Sequence, residues 1–120
     1  MTFTIEIIER EMSHIDYLLI THIKALRQEK KWSQKDLSIK MGVSKSFVGN
    51  VENLTERHKY SIRHLTLLKK AFNIQSISEL FTFSQPIFDR IKLRIEVTKT
   101  NEKNRIIHSK LIEIIPLDFL

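Results

Sequence analysis

The residues best suited to chemistry in this sequence are small polar side chains in the segment SQKDLSIKMGVSKSFVGNVEN, residues 33–53. Val48 and Val51 lie in its second half, where they would set the inward side of a short helix. Because a helix advances by about 100° per residue, a separate set of residues shares the opposite side. This outer stripe consists of Ser46, Gly49, Asn50 and Asn53.

The outer stripe carries groups that can hydrogen-bond to the edges of nucleotide bases. Asn can pair with adenine through two hydrogen bonds, Lys can reach the acceptors of guanine, and Ser can serve either base. Lys45 flanks the stripe at its N-terminal end, and Phe47 lies at its other edge. Gly49 is a poor helix former, so its exposed position fits a close approach to another molecule. The pattern predicts a helix that enters a duplex major groove, although a plain surface helix with a packing glycine would look the same.

Five helices are predicted to position the stripe, and each begins at a serine that can cap it. These serines are Ser13, Ser33, Ser44, Ser61 and Ser76. Three of them are followed three residues later by an acidic residue, which is the pattern of a capping box. Gly42 would end the second helix in the backbone conformation that glycine adopts most easily. The helical part is therefore predicted to span residues 13–83, with the fifth helix ending near Phe81.

The pattern changes after Pro86 from helical spacing to alternation. Apolar and polar residues alternate over residues 91–97, which predicts a half-buried strand. A second alternating run covers residues 106–115. Its alternation slips near Leu111 and Ile112, and this slip predicts a bulge.

An isolated hairpin is marginally stable in water, so its apolar face needs a cover. The cover is either the N-terminal segment, which alternates at Phe3, Ile5 and Ile7, or the same hairpin of another chain. The predicted fold is therefore mainly α, a five-helix domain with a C-terminal β-hairpin, and a strand at the N-terminus is left open. The predicted domains are an arm at residues 1–12, a helical domain at 13–83, and a hairpin extension at 84–120 for dimerisation or for binding a partner protein.

The charge of the chain favours an anionic partner. The net charge is +6, divided as −1 over residues 1–30, +3 over 31–60, +2 over 61–90 and +2 over 91–120. A basic surface of this kind binds a polyanion through phosphate neutralisation and counterion release. No apolar run is long enough to span a membrane, and the N-terminus lacks the pattern of a secretory signal, so a cytoplasmic location is expected.

Catalytic and metal chemistry find little support in the sequence. The chain has no Cys, which excludes disulfides, thiolate zinc sites and a cysteine nucleophile. Among the five His, His14 and His22 are eight residues apart on one helix, too far to share an ion, and His58 and His64 are expected near phosphate or solvent. No nucleophile is paired with a base. We therefore expect no enzyme activity, no metal and no cofactor.

Four loose motifs follow one another in residues 23–81. They are Ser-Gln opening the second helix, Gly-Val-Ser at the turn, Val-x-x-Val-Glu in the third helix, and Leu-Leu-x-x-x-Phe-x-Ile in the fourth. In this order they are specific, and about half of the chain resembles the Cro/phage-repressor helix-turn-helix family, the XRE-like regulators. The resemblance implies five helices and binding to double-stranded DNA.

The resemblance also implies which residues face the DNA. Lys45, Ser46 and Asn50 occupy the positions that read base edges. Ser44 and Asn53 occupy positions near the sugar–phosphate backbone. Together with Phe47 and Gly49, these residues form most of the predicted DNA-binding set.

Other matching positions brace the helices or add charge. Gln34 resembles the family's phosphate-contacting glutamine, which also braces the third helix. Arg27 and Glu52 fall where the family often has an ion pair that ties the first helix to the third. Lys35 and Lys59 complete the predicted DNA-binding set as basic contacts.

Two departures from the family pattern qualify the expected function. Leu54 stands where a glycine commonly ends the third helix, and the base-reading positions hold short side chains, so part of the specificity would come from DNA shape. The expected function is a sequence-specific, repressor-like regulator acting as a homodimer. The alternatives are the antitoxin of a toxin–antitoxin pair, with the hairpin gripping its protein partner, and an interaction module that has lost DNA binding.

Overall fold

The computed structural model describes residues 2–120, which fall into two compact units. One unit is helical and covers Ile15–Pro86. The other joins the segment ending at His14 to Ile87–Leu120. The helices are α1 (His14–Glu29), α2 (Gln34–Met41), α3 (Phe47–Glu52) and α4 (Ile62–Phe72), followed by a 3₁₀ helix (Ile77–Phe81). The strands are β1 (Phe3–Ser13), β2 (Phe88–Thr100) and β3 (Ile106–Phe119).

The helices of the first unit are bounded by local capping chemistry. Ser33 caps α2 in a reciprocal box, since its hydroxyl accepts from the Asp36 N–H and the Asp36 carboxylate accepts from the Ser33 N–H. Gly42 ends α2 at φ 77°, a left-handed conformation in which a side chain would be strained. The helices then bury one shared apolar core. Its fully buried members include Ile23, Leu37, Met41, Val48, Val51, Leu68 and Leu80.

The prediction of a mainly α, five-helix fold was wrong. Residues 2–120 contain four α-helices, and the predicted fifth helix is a short 3₁₀ turn. Ser76 and Glu79 do form the expected capping box. Only five residues follow Ser76 before the helical conformation ends, however, and a segment this short suits the tighter 3₁₀ winding. Three long strands add an antiparallel sheet, so the chain combines helices and sheet.

Two predicted helix starts also differ from the structure. Ser13 is the last residue of β1, and α1 begins one residue later, at His14. Ser44 does not cap α3, because Phe47 donates its N–H to the Ser44 carbonyl at 3.0 Å and thereby closes a turn ahead of the helix. Regular helix begins only at Phe47.

The sheet of the second unit has the order β1-β2-β3, with both neighbours antiparallel to β2. The four apolar residues of β2 on one face are almost fully buried: Ile91, Leu93, Ile95 and Val97. Arg94 pairs with Glu113 and Ile95 with Leu111, so Ile112 is an extra residue in β3. The predicted bulge therefore lies where the alternation of the sequence slips.

Candidate nucleic-acid interface

A buried ion pair joins the first and third helices of the helical unit. The Arg27 guanidinium donates to both carboxylate oxygens of Glu52, at 2.9 and 2.8 Å. It also donates to the Trp32 carbonyl at 2.6 Å, which ties in the turn between α1 and α2. The side chains of Arg27 and Glu52 are 9% and 1% exposed. The hydrogen bond to Glu52 raises the pKa of Arg27, and burial opposes this effect.

Gln34 extends this network to the start of α2. Its side-chain amide donates to Glu52 Oε1 at 3.1 Å, so one carboxylate receives both Arg27 and Gln34. A Cβ placed on Gly49 would come within 3.0 Å of Gln34 Oε1. The helix-weakening glycine therefore makes room for Gln34 within the same chain. The sequence pattern had attributed this close approach to another molecule.

The side chain of Ser38, which belongs to α2, caps the first turn of α3. Its hydroxyl accepts from the Val48 N–H at 3.1 Å and donates to the Gln34 carbonyl at 3.0 Å, and the residue is completely buried. Ser46 stands at the N-cap position of α3 but makes no capping hydrogen bond with its side chain. Because α2 satisfies an N–H of the first turn of α3, the exposed Ser46 hydroxyl remains available for other partners.

Replacement of Ser38 by Ala tests this cap directly. We expect Ser38→Ala to lower the free energy of unfolding by about 1–3 kcal/mol, because the buried Val48 N–H loses its acceptor. Urea denaturation measures the loss. The matched control is Ser46→Ala, which removes an exposed hydroxyl and should change stability by no more than about 0.5 kcal/mol. Equal losses in the two variants would show that the Ser38 hydroxyl stabilises the protein no more than the exposed Ser46 hydroxyl does, and would contradict the cap from Ser38.

Most predicted DNA-binding side chains lie exposed at and around α3. Phe47 and Gly49 are half-buried. The exposed residues are Gln34, Lys35, Ser44, Lys45, Ser46, Asn50, Asn53 and Lys59. Three residues of the outer stripe, Ser46, Asn50 and Asn53, are thus exposed on the side opposite the buried Val48 and Val51, whereas Gly49 is partly covered by Gln34.

Besides Gln34, both Asn53 and Lys59 of the predicted set have side-chain partners within residues 2–120. Asn53 Oδ1 accepts from the Thr55 N–H at 3.1 Å and from its hydroxyl at 2.7 Å, which closes the turn after α3. This turn replaces the family's usual glycine, and Asn53 keeps an extended conformation at φ −81°. Lys59 lies 3.6 Å from Asp16, so its charge is partly balanced. Its exposed ammonium group still faces solvent.

An aromatic cluster supports the edge of α3 that carries Phe47. The Phe47 ring lies 4.4 Å from His64 and 5.9 Å from Tyr60, measured between ring centroids. Burial raises the pKa of Tyr60 and lowers that of His64, and Arg63 adds to the His64 effect. His64 Nδ1 accepts from the Ser61 N–H at 2.9 Å, which caps α4. His64, predicted to lie near phosphate or solvent, thus has a structural role at this edge.

Sequence reasoning missed two residues of this site. Ser38 gave a weak signal, since a small polar residue between Leu37 and Met41 interrupts an inward face. Tyr60 follows the polar residues 55–59 and gave no such signal, yet it is 5% exposed and its hydroxyl has no hydrogen-bond partner within residues 2–120. Neither role can be read from local spacing, because both depend on contacts between separate segments.

Residues 2–120 offer neither a cluster of metal ligands nor a membrane-spanning helix. Residues 2–120 hold no group of three or more His, Asp or Glu side chains that could bind a metal ion. None of the helices described has the length and apolar character needed to cross a bilayer.

Comparisons with known proteins address the helical unit. Residues 23–80 match a family model described as helix-turn-helix. The chain is similar to the solved N-terminal DNA binding domain of SinR from Bacillus subtilis, with a TM-score of 0.47 and 26% identity over 58% of this chain and 99% of that one. It is also similar to a point mutant of the restriction-modification controller protein C.Esp1396I, with a TM-score of 0.43 and 23% identity over 55% and 90% of the two chains. No curated protein matches significantly.

The family model covers α2, the turn at Gly42, α3 and α4, together with the last seven residues of α1. These are the elements that carry the buried ion pair, the Ser38 cap and the exposed stripe. Residues 23–80, somewhat under half of the chain, thus match the helix-turn-helix family model, in agreement with the predicted resemblance to XRE-like regulators.

Proposed function

We propose that the protein is a sequence-specific, repressor-like regulator that places α3 in the major groove of double-stranded DNA. The observation that carries this proposal is the exposed stripe on α3, which three separate contacts hold in place. Those contacts are the Arg27–Glu52 pair, the Gln34 side chain against Gly49, and the Ser38 hydroxyl on the Val48 N–H. A base-reading helix needs this rigidity because hydrogen bonds to base edges demand accurate placement.

The proposed contacts fall into two classes. Asn50 and Ser46 read base edges, and Lys45 reaches guanine acceptors or an adjacent phosphate. Lys35, Ser44 and Lys59 contact the sugar–phosphate backbone, which fixes position without reading sequence. The exposed Gln34 side chain contacts phosphate from the start of α2 while it braces α3. Asn53 takes part through its amide nitrogen, since its oxygen is held by Thr55.

The protein is proposed to act as a homodimer in the cytoplasm on two half-sites about one helical turn apart. Two copies of a short recognition helix double the number of base contacts. The short side chains at Ser46 and Gly49 make this doubling important, because each half-site alone offers few specific contacts. Shape readout at the centre of the site would add further discrimination.

Substitutions of Asn50, Lys35 and Lys45 test the proposal through different expected effects on DNA binding. Asn50→Ala should weaken binding to the preferred site by about 1–3 kcal/mol and leave binding to random duplexes nearly unchanged. Lys35→Ala should weaken all duplexes about equally and reduce the salt dependence of binding. Lys45→Ala separates its two proposed targets, since loss of specificity indicates guanine and uniform loss indicates phosphate. The measurement is mobility-shift titration at several salt concentrations, after selection of the preferred site from random duplexes.

The control variant is Lys103→Ala, which removes the same charge from the turn between β2 and β3. It should bind the preferred site as the wild type does. If Asn50→Ala and Lys35→Ala both behave like this control, α3 does not enter the groove.

A further inference from the structure

Strand β3 is a long edge strand with an exposed apolar side. The sheet order β1-β2-β3 leaves one edge of β3 without a neighbouring strand in residues 2–120. Five of its apolar side chains are between 37% and 51% exposed: Ile106, Ile107, Ile112, Ile114 and Leu117. An open strand edge of this length and composition is a template for pairing with another strand.

The charges of β3 are arranged symmetrically about one point. If two copies of β3 pair antiparallel around a two-fold axis between Leu111 and Ile112, Lys110 lies opposite the partner subunit's Glu113. The same axis places Arg105, just before β3, opposite the partner subunit's Asp118. Each contact occurs twice because the axis exchanges the two chains. In any other two-fold register of β3, at most one type of residue pair brings opposite charges together across the interface.

The faces of the sheet agree with this register. Lys110 pairs with Glu96 of β2, and Glu113 pairs with Arg94, so both side chains point to one face. Ser109 pairs with Val97 and Ile114 with Leu93, which places these two on the other face. Residues that oppose each other in a ladder must point to the same face of the sheet. Lys110 and Glu113 do so. Ser109 and Ile114 do so as well, because the extra residue Ile112 lies between the two members of each pair.

The position of Pro116 is also consistent with the two-fold axis between Leu111 and Ile112. Pro116 cannot donate a ladder hydrogen bond, so it limits an edge ladder at the C-terminal side. The axis places Pro116 opposite Ile107, a residue that the register between β2 and β3 leaves unpaired. The uninterrupted ladder would then cover residues 108–115, a segment that is itself symmetric about the same axis.

The other edge of the sheet is less suited to this pairing. Three carboxylates of β1 already form ion pairs with cations of β2: Glu6 with Lys99, Glu9 with Lys92 and Arg94, and Glu11 with Arg90. In contrast, the structure gives no ion pair to Arg105, Lys110 or Asp118 within residues 2–120. Charged edges discourage strand addition, so β3 is the edge that favours a second copy.

We propose that β3 is the homodimer interface and pairs with β3 of a second copy about the axis between Leu111 and Ile112. The pairing joins two three-stranded sheets into one of six strands. It is isologous and therefore closes after two chains. The inference rests on the dimer proposed above, and it identifies the surface and register that hold the two chains together.

Charge reversal tests the register through rescue. Lys110→Glu alone places two glutamates opposite each other twice, and sedimentation equilibrium should show a dimer dissociation constant about tenfold higher or more. Adding Glu113→Lys in the same chain should return the constant to near the wild-type value. Arg105→Glu, alone and combined with Asp118→Arg, provides a second and independent rescue test. This second test is needed because Glu113 also lies 3.6 Å from Arg94 of its own chain. Lys103→Glu in the preceding turn is the matched control and should leave the constant unchanged.

Disulfide trapping tests the same register without relying on charge. The chain has no native Cys, so introduced thiols react without interference. A mixture of Lys110→Cys and Glu113→Cys chains should form a mixed disulfide quickly, because directly opposed Cβ atoms lie about 4.5–5.5 Å apart. A mixture of Ser109→Cys and Glu113→Cys chains should react much more slowly, since those side chains would lie on opposite faces.

The outcomes separate this inference from the DNA-binding proposal. Rescue by double reversal together with selective trapping supports the β3 interface. A protein that is monomeric at all concentrations, a dimer that ignores both reversals, or equal trapping in the two mixtures overturns it. Binding of the Lys110→Glu variant to a single half-site is measured in parallel and should persist. Failure of every variant and of the wild type to bind selected duplexes would instead overturn the DNA-binding proposal.

Discussion

Arg27→Ala should lower the free energy of unfolding by about 3–5 kcal/mol, the largest loss expected from one polar substitution in the helical unit. The reason is the position of Glu52, whose side chain is 1% exposed and would keep a buried charge with only Gln34 as a remaining donor. The Trp32 carbonyl would also lose its donor. Urea denaturation monitored by circular dichroism measures the change, at fixed protein concentration because the proposed dimerisation would be linked to stability.

Two variants identify the origin of this loss. Arg27→Met combined with Glu52→Leu removes both charges while keeping similar volume, and should be much more stable than Arg27→Ala. Lys59→Ala breaks the exposed contact with Asp16 and should cost no more than about 1 kcal/mol. If Arg27→Ala costs as little as Lys59→Ala, the pair is not a buried brace between α1 and α3.

Leu93→Ala should destabilise the sheet unit by about 2–5 kcal/mol. Leu93 is completely buried at the middle of β2, where Arg10 and Ile114 are its register partners on the two neighbouring strands. Removing most of the side chain loses apolar burial and leaves a cavity that a regular ladder cannot close. Thermal unfolding followed by the sheet signal in circular dichroism measures the effect.

Arg94→Ala is the matched control on the adjacent position of the same strand. Its side chain is 40% exposed and pairs with Glu9 and Glu113 on the charged face, so the expected cost is at most about 1 kcal/mol. Similar losses in the two variants would show that the apolar face of β2 is not a core.

The sequence alone predicted the elements whose causes are local. Helix α2 begins at the capping box of Ser33 and Asp36 and ends at Gly42 in its left-handed conformation. Both of these signals depend on groups within a few residues. The exposed stripe of α3 follows from helical spacing relative to Val48 and Val51. The slip in alternation located the bulge at Ile112, because the two-residue period of a strand cannot change without an extra residue. The order of loose motifs predicted the helix-turn-helix match over residues 23–80.

Tertiary structure decided the features that join distant segments. Ser38 caps α3 from ten residues away, and Gly49 makes room for the side chain of Gln34, so both roles depend on contacts between separate segments. The N-terminal segment forms strand β1 because it pairs with β2, which lies some ninety residues further along the chain. The fifth helix is 3₁₀ although its capping box is present. Capping fixes where a helix starts, whereas its length and winding depend on what it packs against, and only the folded chain supplies that.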